Sequence, residues 1–317
     1  MHCDVFNGDA DGIFALAQLR KSNPKVSTLF TGTKRDIGLL RHLVEIKNST
    51  VTVLDISMEK NLSDLNTCLK NNNQITWFDH HQSGTIPKID LLDANIDTSP
   101  KVCTSILVDH HLSGAQRAYA IAGAYGDNLH SEAELMGENL SSEELAILKD
   151  IGETINYNGY GEKLSDLAVE PKMVYLDLLK FDSPFEFAKH SEVFAKIKKQ
   201  MIDDAQQMQT TKKIHSSSVG DCLLLPDHPS SARMSGIYSN DLVHANPDRA
   251  HAIFTQLKNE SGFRISIRSP LNRPHKADTL ANLFPNGGGR AKAAGINCLH
   301  ETELNNFYTK FDEVFSC

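Results

Sequence analysis

The feature that most constrains this chain is an alternation over its first 130 residues. Short apolar stretches exchange with amphipathic ones, and several apolar stretches end on an acid. His2–Phe6, Val26–Phe30, Val51–Leu54 and Ile75–Phe78 read as strands. Gly12–Lys21, Asp36–Lys47, Leu62–Lys70, Ser105–Leu112 and Arg117–Tyr125 carry apolar residues at helical spacing. Such alternation builds βαβ units and an α/β fold, a mainly parallel sheet with helices on both faces. From about residue 140 to 212 the chain reads as helical, with Glu186–Lys213 as one long helix. At Val219 the pattern restarts. Asp221–Leu225, Ala250–Leu257 and Gly262–Ser269 read as strands, the last two joined by a turn at 258–261. Gly236–Val243 and Ala277–Leu283 read as helices, and a glycine-rich loop follows. The 317 residues therefore divide into a larger domain over 1–190, a helical linker over 191–214 and a smaller α/β domain over 215–317.

Charge and cysteine use narrow the function classes. The net charge of −8 is uneven: residues 1–212 carry −9 and residues 213–317 carry +1. An acidic chain of this kind does not grip long nucleic acid by counterion release. A small anionic substrate is compatible with it where cations are concentrated locally or metal ions supply the charge. The six cysteines (Cys3, Cys68, Cys103, Cys222, Cys298 and Cys317) are scattered without a CxxC pair, which argues against a disulfide framework or structural zinc. No apolar run reaches the roughly 18 residues of a membrane span, and the N-terminus lacks a secretion-signal pattern. The expectation is a cytoplasmic protein with no membrane partner.

Four acidic motifs fall at the ends of elements. Asn7–Gly8–Asp9–Ala10–Asp11–Gly12 follows the first strand, and Asp55 ends the third. Trp77–Phe78–Asp79–His80–His81 closes the fourth, and Gly123–Ala124–Tyr125–Gly126–Asp127–Asn128 closes a helix. Open α/β sheets bind ligands at the carboxyl ends of their strands, so these side chains can share one crevice. A calcium loop beginning at Asp9 would need a Glu at its twelfth position, where Arg20 stands. Asp9, Asp11, Asp55, His80 and Asp127 together offer oxygen and imidazole ligands, a mixture suited to Mn²⁺ or Mg²⁺, with Mn²⁺ favoured by the imidazole. Asp55, on a strand between the other ligands, is the expected bridge between two ions. A second Asp–His–His, at 109–111, lies within a helical stretch and is expected to form a surface helix face.

The ordered set NGDADG, VLD, FDHH and GAYGDN resembles the motifs of the DHH phosphoesterases. Ile265–Ser266–Ile267–Arg268–Ser269 and the run Gly287–Gly288–Gly289–Arg290–Ala291–Lys292 resemble the accompanying DHHA1 domain. The resemblance covers nearly the whole chain. It implies one Mn²⁺ on Asp9 and Asp55 and another on Asp11, Asp55, His80 and Asp127, with a metal-activated hydroxide as nucleophile. It further implies that His81 contacts the scissile phosphate or assists the leaving oxygen, and that Asp79 orients a histidine. Two departures stand out. The family's metal-binding histidine four residues before the first Asp is Val5 here, a gap that Asn7 or water would fill. The family's GGGH is Gly287–Gly288–Gly289–Arg290 here. An arginine can clamp an anion bidentately but cannot shuttle protons.

From Arg264 to Lys292 there are six cations against one acid. Arg268, Arg290 and Lys292 are the expected substrate-binding side chains, with Gly288 and Gly289 letting backbone N–H groups approach an anion. A metal crevice on one domain and an anion clamp on the other suit a short chain held at both ends. The expected activity is a phosphodiesterase converting very short linear oligonucleotides, pGpG-like dinucleotides, to mononucleotides, acting alone or as a homodimer. The alternatives are a cyclic-dinucleotide phosphodiesterase, a 3′-phosphatase on pAp, and a non-catalytic nucleotide- or RNA-binding regulator.

Overall fold

The computed structural model describes residues 1–257 and 261–316. They form two compact units, Met1–Met201 and Ile202–Cys317.

The first unit is built on five parallel strands: β1 (His2–Phe6), β2 (Thr28–Thr31), β3 (Thr50–Leu54), β4 (Gln74–Asp79) and β5 (Leu92–Ile96). Their order in the sheet is β2-β1-β3-β4-β5. The order reverses between β1 and β3, which opens a crevice at their carboxyl ends. Its helices are α1 (Ala10–Ser22), α2 (Leu62–Lys70), α3 (Thr104–His111), α4 (Arg117–Gly126), α5 (His130–Met136), α6 (Ser142–Gly159), α7 (Pro171–Leu178) and α8 (Pro184–His190). α9 (Glu192–Gln207) carries the chain into the second unit.

Strand alternation sorts side chains to two faces. Cys3, Val5, Val51, Val53, Ile75 and Trp77 pack with Leu39, Leu40, Leu43 and Leu65 in one buried cluster. On the other face, Phe6 meets the ring of Tyr175 on α7 at 5.6 Å between centroids. α1 packs between α3, α4, α6 and α7 and is buried from Ala10 to Arg20. That burial on all sides is why its sequence shows only a weak apolar stripe.

Three local expectations are corrected. Asp36–Lys47 is not a helix; only a short 3₁₀ turn, Leu39–Leu43, forms. The Asp36 carboxylate is held by the Arg41 guanidinium at 2.7 and 2.8 Å. The carbonyls of Val44 and Ile46, which would carry a helix on, accept from the side chains of Asn71 and Asn73 instead. The long helix over Glu186–Lys213 is broken at Ser191, whose backbone is extended and whose hydroxyl accepts from the N–H of Phe194 at 2.9 Å. The strand expected from Val26 starts at Thr28, with Val26 99% exposed. β5 is a polar, half-buried edge strand that apolar patterning does not reveal.

The second unit is one mixed sheet. Its strands are β6 (Lys212–Ser216), β7 (Gly220–Leu224), β8 (Ala250–Gln256), β9 (Gly262–Arg268), β10 (Gly287–Gly289) and β11 (Ala293–His300), in the order β10-β11-β9-β8-β7-β6. Only β7 and β8 pair in parallel, joined by α10 (Ser230–Ala245); the other pairings are antiparallel. α11 (Ala277–Ala281) and α12 (Leu304–Ser316) complete it, and α12 sets Phe307, Phe311 and Phe315 into the core. The turn expected at 258–261 falls on residues 258–260, outside the described ones, as does Cys317. The expected glycine-rich loop is instead the edge strand β10. Gly289, at φ +142°, is required there, because a Cβ would come within 2.5 Å of Ala294.

Candidate metal centre

The turn after β1 delivers the first two acids. Asp9 caps α1, its Oδ1 accepting the N–H of Gly12 at 3.1 Å. Asp11, in the first turn of α1, crosses to the start of α3 and accepts the N–H groups of Thr104 and Ser105, both at 2.7 Å. A carboxylate suits the positive end of a helix, and these bonds fix its orientation. Asp55 follows β3 with φ +58°, a left-handed conformation that Asp tolerates better than most residues. Its Oδ1 accepts from the Thr104 hydroxyl at 3.2 Å. His80 and His81 leave the end of β4, and Asp127 caps the carboxyl end of α4.

These side chains converge. His80 Nε2 lies 3.4 Å from Asp55 Oδ1, 3.7 Å from Asp127 Oδ2 and 3.9 Å from Asp11 Oδ2. Around an octahedral divalent ion with bonds of about 2.1 Å, adjacent donors sit about 3 Å apart and opposite ones about 4 Å. The separations fall in that window. Two donor sets share His80: Asp11 with His80 and Asp127, and Asp55 with His80 and His81. His81 is committed elsewhere, because its Nδ1 donates to Asp79 Oδ1 at 2.7 Å against 3.8 Å to Asp55. Asp79 is fully buried, and its other oxygen has no hydrogen-bond partner.

The electrostatics show what the centre lacks. Burial drives the Asp55 carboxyl well above the usual carboxylate range, and repulsion from Asp9, Asp11 and Asp127 adds to it. Burial and the charge of Asp11 raise Asp127 to about 6. For Asp9, burial pushes upward, but the Lys34 ammonium, with hydrogen bonds from the Asp55 carboxyl and the Gly12 N–H, outweighs it and holds the carboxyl low. For His81, burial pulls downward, but the bond to Asp79 together with the charges of Asp79, Asp11 and Asp127 outweighs it and raises the imidazole. Crowded buried carboxylates short of positive charge are what a bound cation relieves. Three carboxylates and an imidazole without thiolate fit Mn²⁺ or Mg²⁺. Cys103 lies beside Asp11, but burial and that charge push its thiol well up, so it stays protonated. Cys3 belongs to the apolar cluster on the opposite face of the sheet.

The structure thus brings Asp9, Asp11, Asp55, Asp79, His80, His81 and Asp127 to one edge of the sheet. Asn7 does not stand in for a missing ligand. Its amide oxygen accepts the N–H of Asp9 at 3.3 Å, and its nitrogen donates to the carbonyl of Lys34 at 3.4 Å. Lys34, Asn156 and Thr104 were not found from the sequence. Lys34 follows β2 as the acids follow β1 and β3. The second Asp–His–His forms the expected surface helix face at His110 and His111, both exposed, and departs from it only at Asp109. Asp109 is fully buried on α3 and accepts from Arg117 at 3.1 Å, while His111 packs edge-on against Phe78.

In the second unit, Arg268 ends β9 opposite Ala293, and Arg290 and Ala293 close the tight turn between β10 and β11. Arg268, Arg290 and Lys292 thereby come to one end of that sheet. Arg268 is tied to the side chains of Asn240 and Ser266 at 2.9 and 3.0 Å. Arg290 and Lys292 are exposed. A Cβ on Gly288 would meet nothing within 4 Å, so its backbone is open to approach.

A five-stranded parallel sheet with an aspartate- and histidine-rich carboxyl edge, followed by a six-stranded mixed sheet, is the DHH/DHHA1 architecture. Solved structures share it. A manganese-bound RecJ exonuclease is 17% identical with a TM-score of 0.62, over 99% of this chain and 90% of that one. RecJ of Thermus thermophilus in complex with Mn²⁺ is 18% identical with a TM-score of 0.63, over 99% of this chain, which spans about half (52%) of that protein. The pGpG-specific phosphodiesterase PggH of Vibrio cholerae is 12% identical with a TM-score of 0.53, over 99% and 100% of the two chains. No protein-family model and no curated protein matches the sequence. No helix among the described residues is long and apolar enough to cross a membrane.

Proposed function

We propose that this chain is a divalent-metal-dependent phosphodiesterase that cleaves very short linear oligonucleotides, dinucleotides such as pGpG, into mononucleotides, with Mn²⁺ the preferred ion. The observation that carries the reading is the convergence of Asp11, Asp55, Asp127 and His80 beside the Asp79–His81 pair. The shared fold of a pGpG-specific phosphodiesterase supports the substrate class.

A bound divalent ion would polarise a phosphoryl oxygen and make water a nucleophile at neutral pH. Asp11, Asp55, His80 and Asp127 would hold it. Asp11 is fixed by the start of α3, and Asp55 by its backbone conformation and Thr104. His81 keeps its proton because Asp79 favours the charged ring, and with Nδ1 turned to Asp79, Nε2 is the nitrogen that would donate to the leaving oxygen. His81→Ala should lower kcat by about 10²–10³-fold with KM little changed. Manganese affinity should stay at the wild-type level, which equilibrium dialysis would check.

Arg290 and Lys292 would hold the anionic end of the substrate, Arg290 by a bidentate fork. Arg290→Ala should raise KM at least about tenfold and leave kcat near wild type, the pattern of a contact equally strong in ground and transition states.

The decisive experiment is a panel of pGpG, pApA, cyclic di-GMP, pAp and a longer single-stranded RNA, each with Mn²⁺ and with Mg²⁺. Manganese-dependent conversion of pGpG to GMP is expected. Binding of pGpG without hydrolysis would establish a regulator instead. Faster degradation of the longer strand would replace the dinucleotide reading with the activity named for the RecJ structures.

A further inference from the structure

The resemblance to the DHH phosphoesterases puts a second divalent ion on Asp9 and Asp55, and Asp9 is already engaged. Its Oδ1 holds the start of α1 through the N–H of Gly12, and its Oδ2 accepts from Lys34 Nζ at 2.6 Å. Neither donor set that converges on His80 includes Asp9. The nearby positions offer no replacement: Val5 is fully buried in an apolar cluster, and the Asn7 side chain bonds to backbone on both sides.

Lys34 is built into this place. Its ammonium also donates to Asn156 Oδ1 on α6 at 3.0 Å and lies 5.4 Å from the centre of the Tyr160 ring. Its backbone N–H donates to Gly159 O at 2.9 Å, and its carbonyl accepts from Asn7. These anchors come from the turn after β1 and the end of α6, so the lysine is positioned from two directions. Only 23% of its side chain is exposed. An ammonium within hydrogen-bond reach of a carboxylate oxygen takes the lobe in which a metal ion would sit, and two cations on one oxygen repel strongly in a buried site.

We propose that the centre takes a single divalent cation, on Asp11, Asp55, His80 and Asp127, and that the Lys34 ammonium is its fixed second positive charge, facing the substrate phosphate from the Asp9 side. The proposal rests on the metal-dependent reading above and refines it. Lysine binds phosphate as a point charge, which lets it share the charge neutralisation of a second ion without activating water.

The test counts ions on the full chain. Protein stripped with chelator is dialysed against Mn²⁺ to saturation, and bound metal is measured by mass spectrometry alongside low-temperature electron paramagnetic resonance. The wild type should bind one Mn²⁺ per chain and show no exchange-coupled pair. Lys34→Gln, which removes the charge and keeps a polar side chain, should rise to two ions and show the coupled pair. Lys34→Arg should remain at one. Two coupled ions in the wild type would overturn the inference and leave the metal-dependent reading standing; no bound ion would overturn both. A Lys34→Gln protein with native circular dichroism and one ion would overturn the role given to Lys34.

Discussion

Asp55→Asn should bind no manganese and lose at least about 10³-fold in turnover, yet its metal-free form should be more stable than metal-free wild type by about 0.5–2 kcal/mol. The two effects share one cause. Asp55 is 2% exposed and faces Asp9, Asp11 and Asp127, so without a cation its charge is a cost to the fold. Asparagine keeps the shape, tolerates the left-handed backbone at φ +58°, and offers an Oδ1 to the Thr104 hydroxyl. It offers a neutral carbonyl oxygen in place of the anionic one, and so withdraws the charge that draws a divalent ion into the site. The pH dependence has a defined sign. A carboxyl whose folded pKa is raised contributes stability below its unfolded value, near 4, and that contribution is lost as pH rises through the folded value. The advantage of the variant should therefore be small near pH 4 and grow toward neutrality. Urea unfolding with chelator across that range, with manganese binding and pGpG hydrolysis measured on the same samples, checks all three statements. A metal-free variant less stable than wild type at pH 7 would show that the carboxylate is needed by the fold itself.

The sheet and the acids at its edge were legible in the sequence for the same reason. A buried parallel strand must be an apolar run, so an Asp at its end stands out, as Asp55 does after Val51–Leu54 and Asp79 after Ile75–Phe78. Asp127 was legible through the glycines before it. Lys34 was not, because β2 is a half-buried edge strand and a Lys–Arg pair after it reads as surface. Asn156 was hidden on a helix whose polar residues give no sign of which one turns inward. Asp36–Lys47 shows the complementary failure: Leu40 and Leu43 face the core as their spacing expects, with Leu39 beside them, while Ile37 is exposed. The bonds that stop a helix there come from Asn71 and Asn73, about 27 residues further on, and no local pattern contains them. The same tripeptide, Asp–His–His, is a site at the end of β4 and, at 109–111, one buried acid beside two exposed histidines on a helix, so the element decides the role. The charge of Arg264–Lys292 was visible as composition, but its gathering at one sheet end depends on the turn that Arg290 and Ala293 close.

Beneath the metal centre, Arg20→Met should cost about 3–5 kcal/mol of stability, the largest loss expected from one substitution in the first unit. Asp4 on β1 is fully buried, and Arg20 on α1 answers it with both a 2.9 Å bond from Nε and a bond from Nη2, while also reaching the Thr52 hydroxyl at 3.1 Å. Burial alone would push the Asp4 carboxyl upward; its bonds to His2 and Arg20 bring it down to about 2. A carboxyl with a depressed folded pKa contributes stability above its unfolded value, near 4, which is lost as pH falls toward 2. Without the guanidinium, the carboxylate keeps the imidazole of His2, at 3.0 Å, and a bond from the Ser27 side chain, and its folded pKa should rise. Stability measured by urea unfolding should then fall from pH 4 toward neutrality relative to wild type, the reverse of the native trend. The double variant Asp4→Leu with Arg20→Met should recover most of the loss, since a buried ion pair is often replaceable by well-packed apolar groups. β1 and α1 flank the turn that carries Asp9 and Asp11, so the centre should survive in every molecule that stays folded. Turnover per folded chain should match wild type, and a drop beyond the unfolded fraction would show that the pair also sets the geometry of that turn.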